Sequence, residues 1–143
     1  MSDSTNTMQR ISEAAAAACA DDLAALWDEI GPAGDPVQRC TVAHYLADLQ
    51  ADVEAELMWD ERALACVAEV PSSPQLRAFL PSLHLNLADD YRRVDDPCAA
   101  MEHLALAKVL SPALPANDYG TLIRDCIRKV DRALELGSIA PLS

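Results

Sequence analysis

The chain has 143 residues, 51% of them hydrophobic, which is one domain's worth of sequence with enough apolar side chain for a core without disulfides or metal. Its formal charge is -12, from 23 acids against 11 Lys and Arg, a field that repels nucleic acid and anionic lipid. The longest apolar run, Ala14 to Ala20, falls far short of the roughly 18 to 20 residues of a membrane span, so a cytoplasmic protein with no membrane and no nucleic-acid partner is expected.

Residues 1–10 are polar and read as a flexible start. Apolar residues at Ile11, Ala15, Cys19, Leu23, Leu26 and Ile30 then recur at helical steps, and Gly31-Pro32 ends that first helix. Asp35-Pro36, Ser73-Pro74 and Asp96-Pro97 each place a side-chain acceptor at an N-cap and a proline at the first helical position, where its missing N–H costs nothing. Gln38 follows Asp35 at capping-box spacing, and that helix is expected to reach about Gln50. Asp52 caps a helix through Val70. After the break at Pro71–Pro74, another helix carries Leu80, Leu83, Leu87 and Tyr91. The last opens near Asn117, with Leu122, Ile123, Cys126, Ile127, Val130 and Leu134 as its buried stripe and Gly137 as its stop.

The expectation is thus an all-α protein of about six antiparallel helices in three hairpins, a single domain over 11–137 with a flexible tail at 138–143. Cys19, Cys40, Cys66, Cys98 and Cys126 are odd in number, irregularly spaced and inside apolar patterns, which reads as buried thiols of a reducing compartment. Cys98, just inside a helix start, could have a lowered pKa but reads first as filler between helices. Few Lys beside plentiful Ala, Arg, Asp and Pro is a bias associated with GC-rich bacterial genomes.

Leu-Ala-Asp recurs at Leu46-Ala47-Asp48 and Leu87-Ala88-Asp89, 41 residues apart. Around the second copy, Leu87, Ala88, Tyr91, Ala100, Leu104, Ala107 and Pro112 stand at the intervals of the tetratricopeptide pattern of about 34 residues. The chain resembles the tetratricopeptide repeat (TPR) family, best over 81–114. A divergent repeat occupies 40–80, where Leu46, Ala47, Cys66 and Pro71 are in register while Gln50 replaces the tyrosine and Trp59 a small residue. His84, Ala88 and Leu104 stand where the family prefers Trp, Gly and an aromatic. The resemblance implies a right-handed α-solenoid in which Ala88 and Ala100 let paired helices approach, with residues 117–136 as a polar-backed capping helix.

It also implies a binding module for a protein or peptide segment rather than an enzyme. The family's groove positions fall here on Thr41, His44, Asp48, Ser82, Leu85, Asp89, Arg92 and Arg93, and Tyr119 would join them from the last helix. Asp48 and Asp89, at equivalent places, would favour a basic segment. Arg92 and Arg93 lie three and four residues beyond Asp89, so local ion pairs on a solvated face are the plainer reading. No catalytic residue, metal or cofactor is expected: His44, His84 and His103 lack ligand spacing, and the paired acids 89–90 and 95–96 read as surface and capping residues. Trp27 and Trp59 are expected between hairpins. The alternative function is a self-associating structural subunit, a homodimer, with its groove closed; a small-ligand sensor or enzyme ranks last.

Overall fold

The computed structural model of the protein describes residues 2–142, with side chains from Thr5 onward. Among the described residues there are eight α-helices, one short 3-10 turn and no strand. They divide into two compact units, residues 1–77 and 78–143.

The first unit holds α1 (Ser2–Ala16), α2 (Ala20–Ile30), α3 (Pro36–Asp48), α4 (Val53–Glu69) and the single turn α5 (Pro74–Arg77). Helix α1 begins inside the stretch that the sequence reads as a flexible start. The helix expected over 11–30 is two, which, with the extra turn α5, raises the count from about six to eight. The break follows a local hydrogen-bond pattern: Cys19 N–H donates to Ala14 C=O and Ala18 N–H to Ala15 C=O, with Ala18 at φ 51°. That is the Schellman termination, whose left-handed position is commonly glycine. The same bonding ends the last helix of the chain, where Gly137 at φ 66° takes that place.

Asp35 and Asp52 cap α3 and α4 by accepting from Val37 and Glu54 N–H, and α3 stops at Asp48, two residues short of the expected Gln50. The core joins Ile11 and Ala14, Leu23 and Leu26, and Val42 and Leu46, with Trp27 and Trp59 packed against it. The indoles meet edge to face at 5.2 Å, with the Arg39 guanidinium 4.4 Å over Trp27 and that of Arg62 4.5 Å over Trp59. Both arginines hold attractive positions over the electron-rich ring faces.

The second unit contains α6 (Leu80–Arg93), α7 (Pro97–Leu110), a 3-10 turn at Ser111–Ala113, and α8 (Asp118–Glu135). Helix α6 starts at Leu80 rather than at Ser73-Pro74, because that pair caps only α5, where Ser73 Oγ accepts from Leu76 N–H. Asp96 and Asn117 cap α7 and α8, accepting from Ala99 and Gly120 N–H. A Cβ at Gly120 would sit 1.9 Å from Pro115 C=O, so only glycine fits this first turn. Ala88, Ala100 and Ala107 have no exposed surface, and Leu85, Leu104, Leu114, Ile123, Ile127 and Val130 fill the core around α6, α7 and α8. The stripe expected on α8 is displaced at one end: Leu122 is exposed, while Ala133, one turn beyond Val130, is buried. Arg124 is drawn inward, donating to the Leu114 carbonyl at 3.0 Å and so satisfying the end of the 3-10 turn.

Candidate interaction surface

The expected groove residues are best followed unit by unit. On α3, Thr41 is buried with its hydroxyl returned to Val37 C=O at 2.7 Å, His44 is half-buried and Asp48 is exposed. Burial pulls the His44 pKa below the usual imidazole range, with the Asp48 carboxylate opposing. The protein packed behind Asp48 pushes its pKa up, against His44, although the open side of the carboxylate lets water screen that push.

On α6, Ser82 and Leu85 are buried, Ser82 donating to Phe79 C=O and Leu85 belonging to the core that α8 covers. Asp89 accepts from Arg92 at 2.8 Å and from Arg93 at 2.9 Å, and Arg93 also reaches the buried Asp90 at 3.1 Å. The spacing seen in the sequence therefore becomes a carboxylate–guanidinium network, but not on a solvated face. Arg92 is 2% exposed and its guanidinium also donates to Ser138 C=O at 2.7 Å. A buried cation held by a carboxylate and by the backbone carbonyl of Ser138 ties the segment after α8 to α6. Leu142 packs on the same core.

Nothing in sequence spacing reveals the tie to Ser138, 46 residues away. The same holds for His84 and His103, whose Nδ1 atoms lie 3.0 Å apart, one donating and the other accepting, with the Tyr91 ring stacked on His103. Their only signal is that both fall within about three turns of the α6–α7 connection, where facing helices bring such positions level.

Tyr119 is 46% exposed, in the first turn of α8. It belongs to a wider pattern. Of the ten large hydrophobic side chains exposed among the described residues, seven lie in the second unit: Met101, Leu106 and Val109 on α7, Tyr119 and Leu122 on α8, and Leu136 and Ile139 in the tail. Helix α7 is mostly apolar around its circumference, Glu102, His103 and Lys108 apart, yet Met101 is 61% and Val109 76% exposed. A groove of about 320 Å³ runs beside it, lined by Met101, Leu104, Ala105 and Leu134, with Lys108, Asp131 and Glu135 at the rim.

Charge is divided the other way. Residues 1–77 carry fourteen acids and four bases, residues 78–143 nine acids and seven bases, leaving -10 in the first unit and -2 in the second. The same -2 unit holds the exposed apolar side chains, so charge opposes close approach there far less than in the first. Compared with protein-family models, with curated proteins and with solved structures, the chain matches none. Among the described residues no helix is long and apolar enough to cross a membrane.

Proposed function

We propose that the protein is a non-catalytic interaction module of tetratricopeptide-like helical hairpins that binds a protein or peptide segment in the cytoplasm. The observation that carries this reading is the outer face of α7, where Met101, Leu106 and Val109 stand in water on a helix otherwise packed against α6 and α8. Contiguous exposed apolar side chains rimmed by charge are what protein-binding surfaces present. The repeat likeness is supported by Ala88, Ala100 and Ala107, fully buried at the family's small-residue positions. All five cysteines are free thiols, in keeping with a reducing compartment, but only Cys40 and Cys66 are buried, and Cys98, expected as filler between helices, is exposed.

In this reading Thr41, Ser82, Leu85 and Arg92 hold the helices together, and contact falls to the accessible residues. The strongly acidic first unit, with Asp48 exposed on α3, favours a partner segment bearing basic side chains, which would meet it through long-range attraction. The apolar face of α7 supplies the contact that excludes water. No cofactor is invoked, because binding by shape and charge requires none.

Capture of partners from the native cytoplasm tests this. The tagged wild-type chain is compared with a Met101→Glu plus Val109→Glu variant and with Asp48→Lys, all at exposed positions and checked for equal helicity. The α7 variant is expected to lose the captured partner, and Asp48→Lys to weaken capture most at low salt. Equal capture by all three would contradict the reading.

A further inference from the structure

A groove of about 530 Å³ opens where the chain turns back on α8. Gly137, at φ 66°, ends that helix, and the segment after it runs beside α8 until Leu142 rejoins the core. Asp125, Lys129, Arg132 and Leu136 recur at steps of four, three and four residues, so they share the flank of α8 that makes one wall. Ser138 and Pro141 belong to the other side. The Ser138 backbone is held by the buried Arg92, and its hydroxyl accepts from Ala140 N–H while keeping its own hydrogen to donate.

The lining is cationic in a chain of -12: Arg128, Lys129 and Arg132 stand against Asp125 alone. Arg128 is answered by Asp125, with which it pairs. Arg132 meets Glu135 only at 3.9 Å, with both side chains in water, and Glu135 is not part of the groove. Of the seven Lys and Arg residues of the second unit, Lys129 is the one with no carboxylate or carbonyl partner among the described residues. The helix dipole accounts for a cation such as Arg132 in the last turn of α8, but Lys129 stands more than a turn before the end, beyond that field.

We propose that this groove binds a free aliphatic carboxylate, its head between Lys129 and Arg132 and its hydrocarbon tail along Ala133, Leu136 and Pro141. Cations three residues apart on a helix are neighbours and can close on one carboxylate, and the Ser138 hydroxyl is a further donor in the same groove. Leu136, exposed as the chain stands, gains apolar cover from the tail. No aromatic ring lines the groove, so a planar ring or base has nothing to stack on, and an aliphatic body fits. A monoanion suits it better than a dianion, because each negative charge brought to this chain adds repulsion. Salt screens the distant acids beyond roughly 8 Å, while the lining cations act at contact. The volume falls in the range of roughly 300 to 1,000 Å³ of small-ligand sites.

The groove shares no residue with Met101, Leu106 and Val109, so this site goes beyond the interaction-module reading and does not depend on it. Its test is a titration of the purified full-length chain with decanoate below the micelle-forming concentration, followed by calorimetry and by amide NMR shifts. Decanoate is expected to bind once per chain and to move amides of 125–136 and 138–142. Acetate, which lacks the tail, and decyltrimethylammonium, which reverses the head, should bind about tenfold more weakly or worse. Lys129→Glu with Arg132→Glu, both at exposed positions, should weaken decanoate by a similar factor with an unchanged melt, and the milder Lys129→Gln with Arg132→Gln should do the same. Lys108→Gln and Val109→Glu, outside the groove, should bind as the wild type does. Absence of decanoate binding to the wild type, equal binding of the cationic surfactant, or affinity untouched by the Lys129 and Arg132 variants overturns the proposal. Shifts gathered on α7 and lost with Val109→Glu also overturn it, since they would place the ligand on the other face. Pelleting of the chain with phosphatidylglycerol vesicles, abolished by the same double variant, would assign the cations to a membrane surface and overturn the free ligand.

Discussion

In the first unit the bulkiest side chains are sheltered: Trp27 and Trp59 meet edge to face, and two of the unit's four bases, Arg39 and Arg62, lie over their rings. Arg39 also donates to Gly31 C=O and Arg10 pairs with Glu29 at 2.8 Å, yet the unit keeps a large acidic surplus. In the second unit Arg92, Arg93, Arg124 and Lys108 are all drawn to carboxylates and carbonyls. Charges there nearly balance, and the apolar side chains of α7 and α8 are left uncovered. Composition sets this difference: fourteen acids against four bases leave the first unit net charge, which sustains solubility and long-range attraction, while nine against seven leave the second near balance with apolar area exposed, which sustains contact.

The difference can be broken most forcefully at Arg92. Replacing it by alanine strips Asp89 of a buried partner and releases Ser138 C=O, and is expected to cost about 3 to 5 kcal/mol in urea unfolding. The matching change over a ring, Arg62→Met, should cost no more than about 1 kcal/mol, because its cation–π contact stands near water. Equal costs would show that the two arginine settings are not energetically distinct.

A pH dependence sharpens the comparison within the first unit. Cys40 is fully buried, and burial, with Cys66 nearby, pushes its thiol from an ordinary 9.0 up to about 12. Between those values the unfolded chain releases the proton while the folded chain keeps it, so stability falls as pH rises above 9.0, by about 1.4 kcal/mol per pH unit. Urea unfolding at pH 8 and pH 10 should show a total loss of about 1.4 kcal/mol in the wild type beyond that in Cys40→Ala, since the slope sets in only above 9.0. The acid side runs in the opposite sense: His44, with its pKa lowered by burial, removes stability as pH falls through its unfolded value of 6.5.

The smallest expected effect is a gain. Ala18 takes the left-handed position that ends α1, a conformation costing an L-residue about 1 to 2 kcal/mol, so Ala18→Gly should raise stability by roughly 1 kcal/mol in the same denaturation assay. A loss would mean that the turn depends on the methyl group.

That turn also marks where sequence reading stops. The caps at Asp35, Asp52, Asp96 and Asn117 are legible because cap and first turn are neighbours in sequence, with a proline marking the start at Asp35 and Asp96. The end of α8 is legible because glycine announces it. The end of α1 is not: alanines at 14–18 are the strongest helix formers, and no glycine or proline interrupts them. The Asp89–Arg92–Arg93 pairing follows from helical spacing, but its burial does not, since the tail that closes over Arg92 comes from the far end of the unit. Leu122 misleads for a related reason. Its position on the wheel is apolar, yet whether a wheel position faces the core depends on where the neighbouring helices lie, and α8 turns Ala133 inward instead.

Oxidative footprinting of methionine compares the two units in one sample, because each carries an exposed reporter, Met58 on α4 at 42% and Met101 on α7 at 61%. Mass spectrometry of the tryptic peptides would follow both sulfoxides as the chain is concentrated, or as cytoplasmic extract is added. Protection of Met101 with Met58 unchanged is the result expected if contact belongs to the α7 face. Protection of Met58 instead, or equal oxidation of both under all conditions, would contradict it.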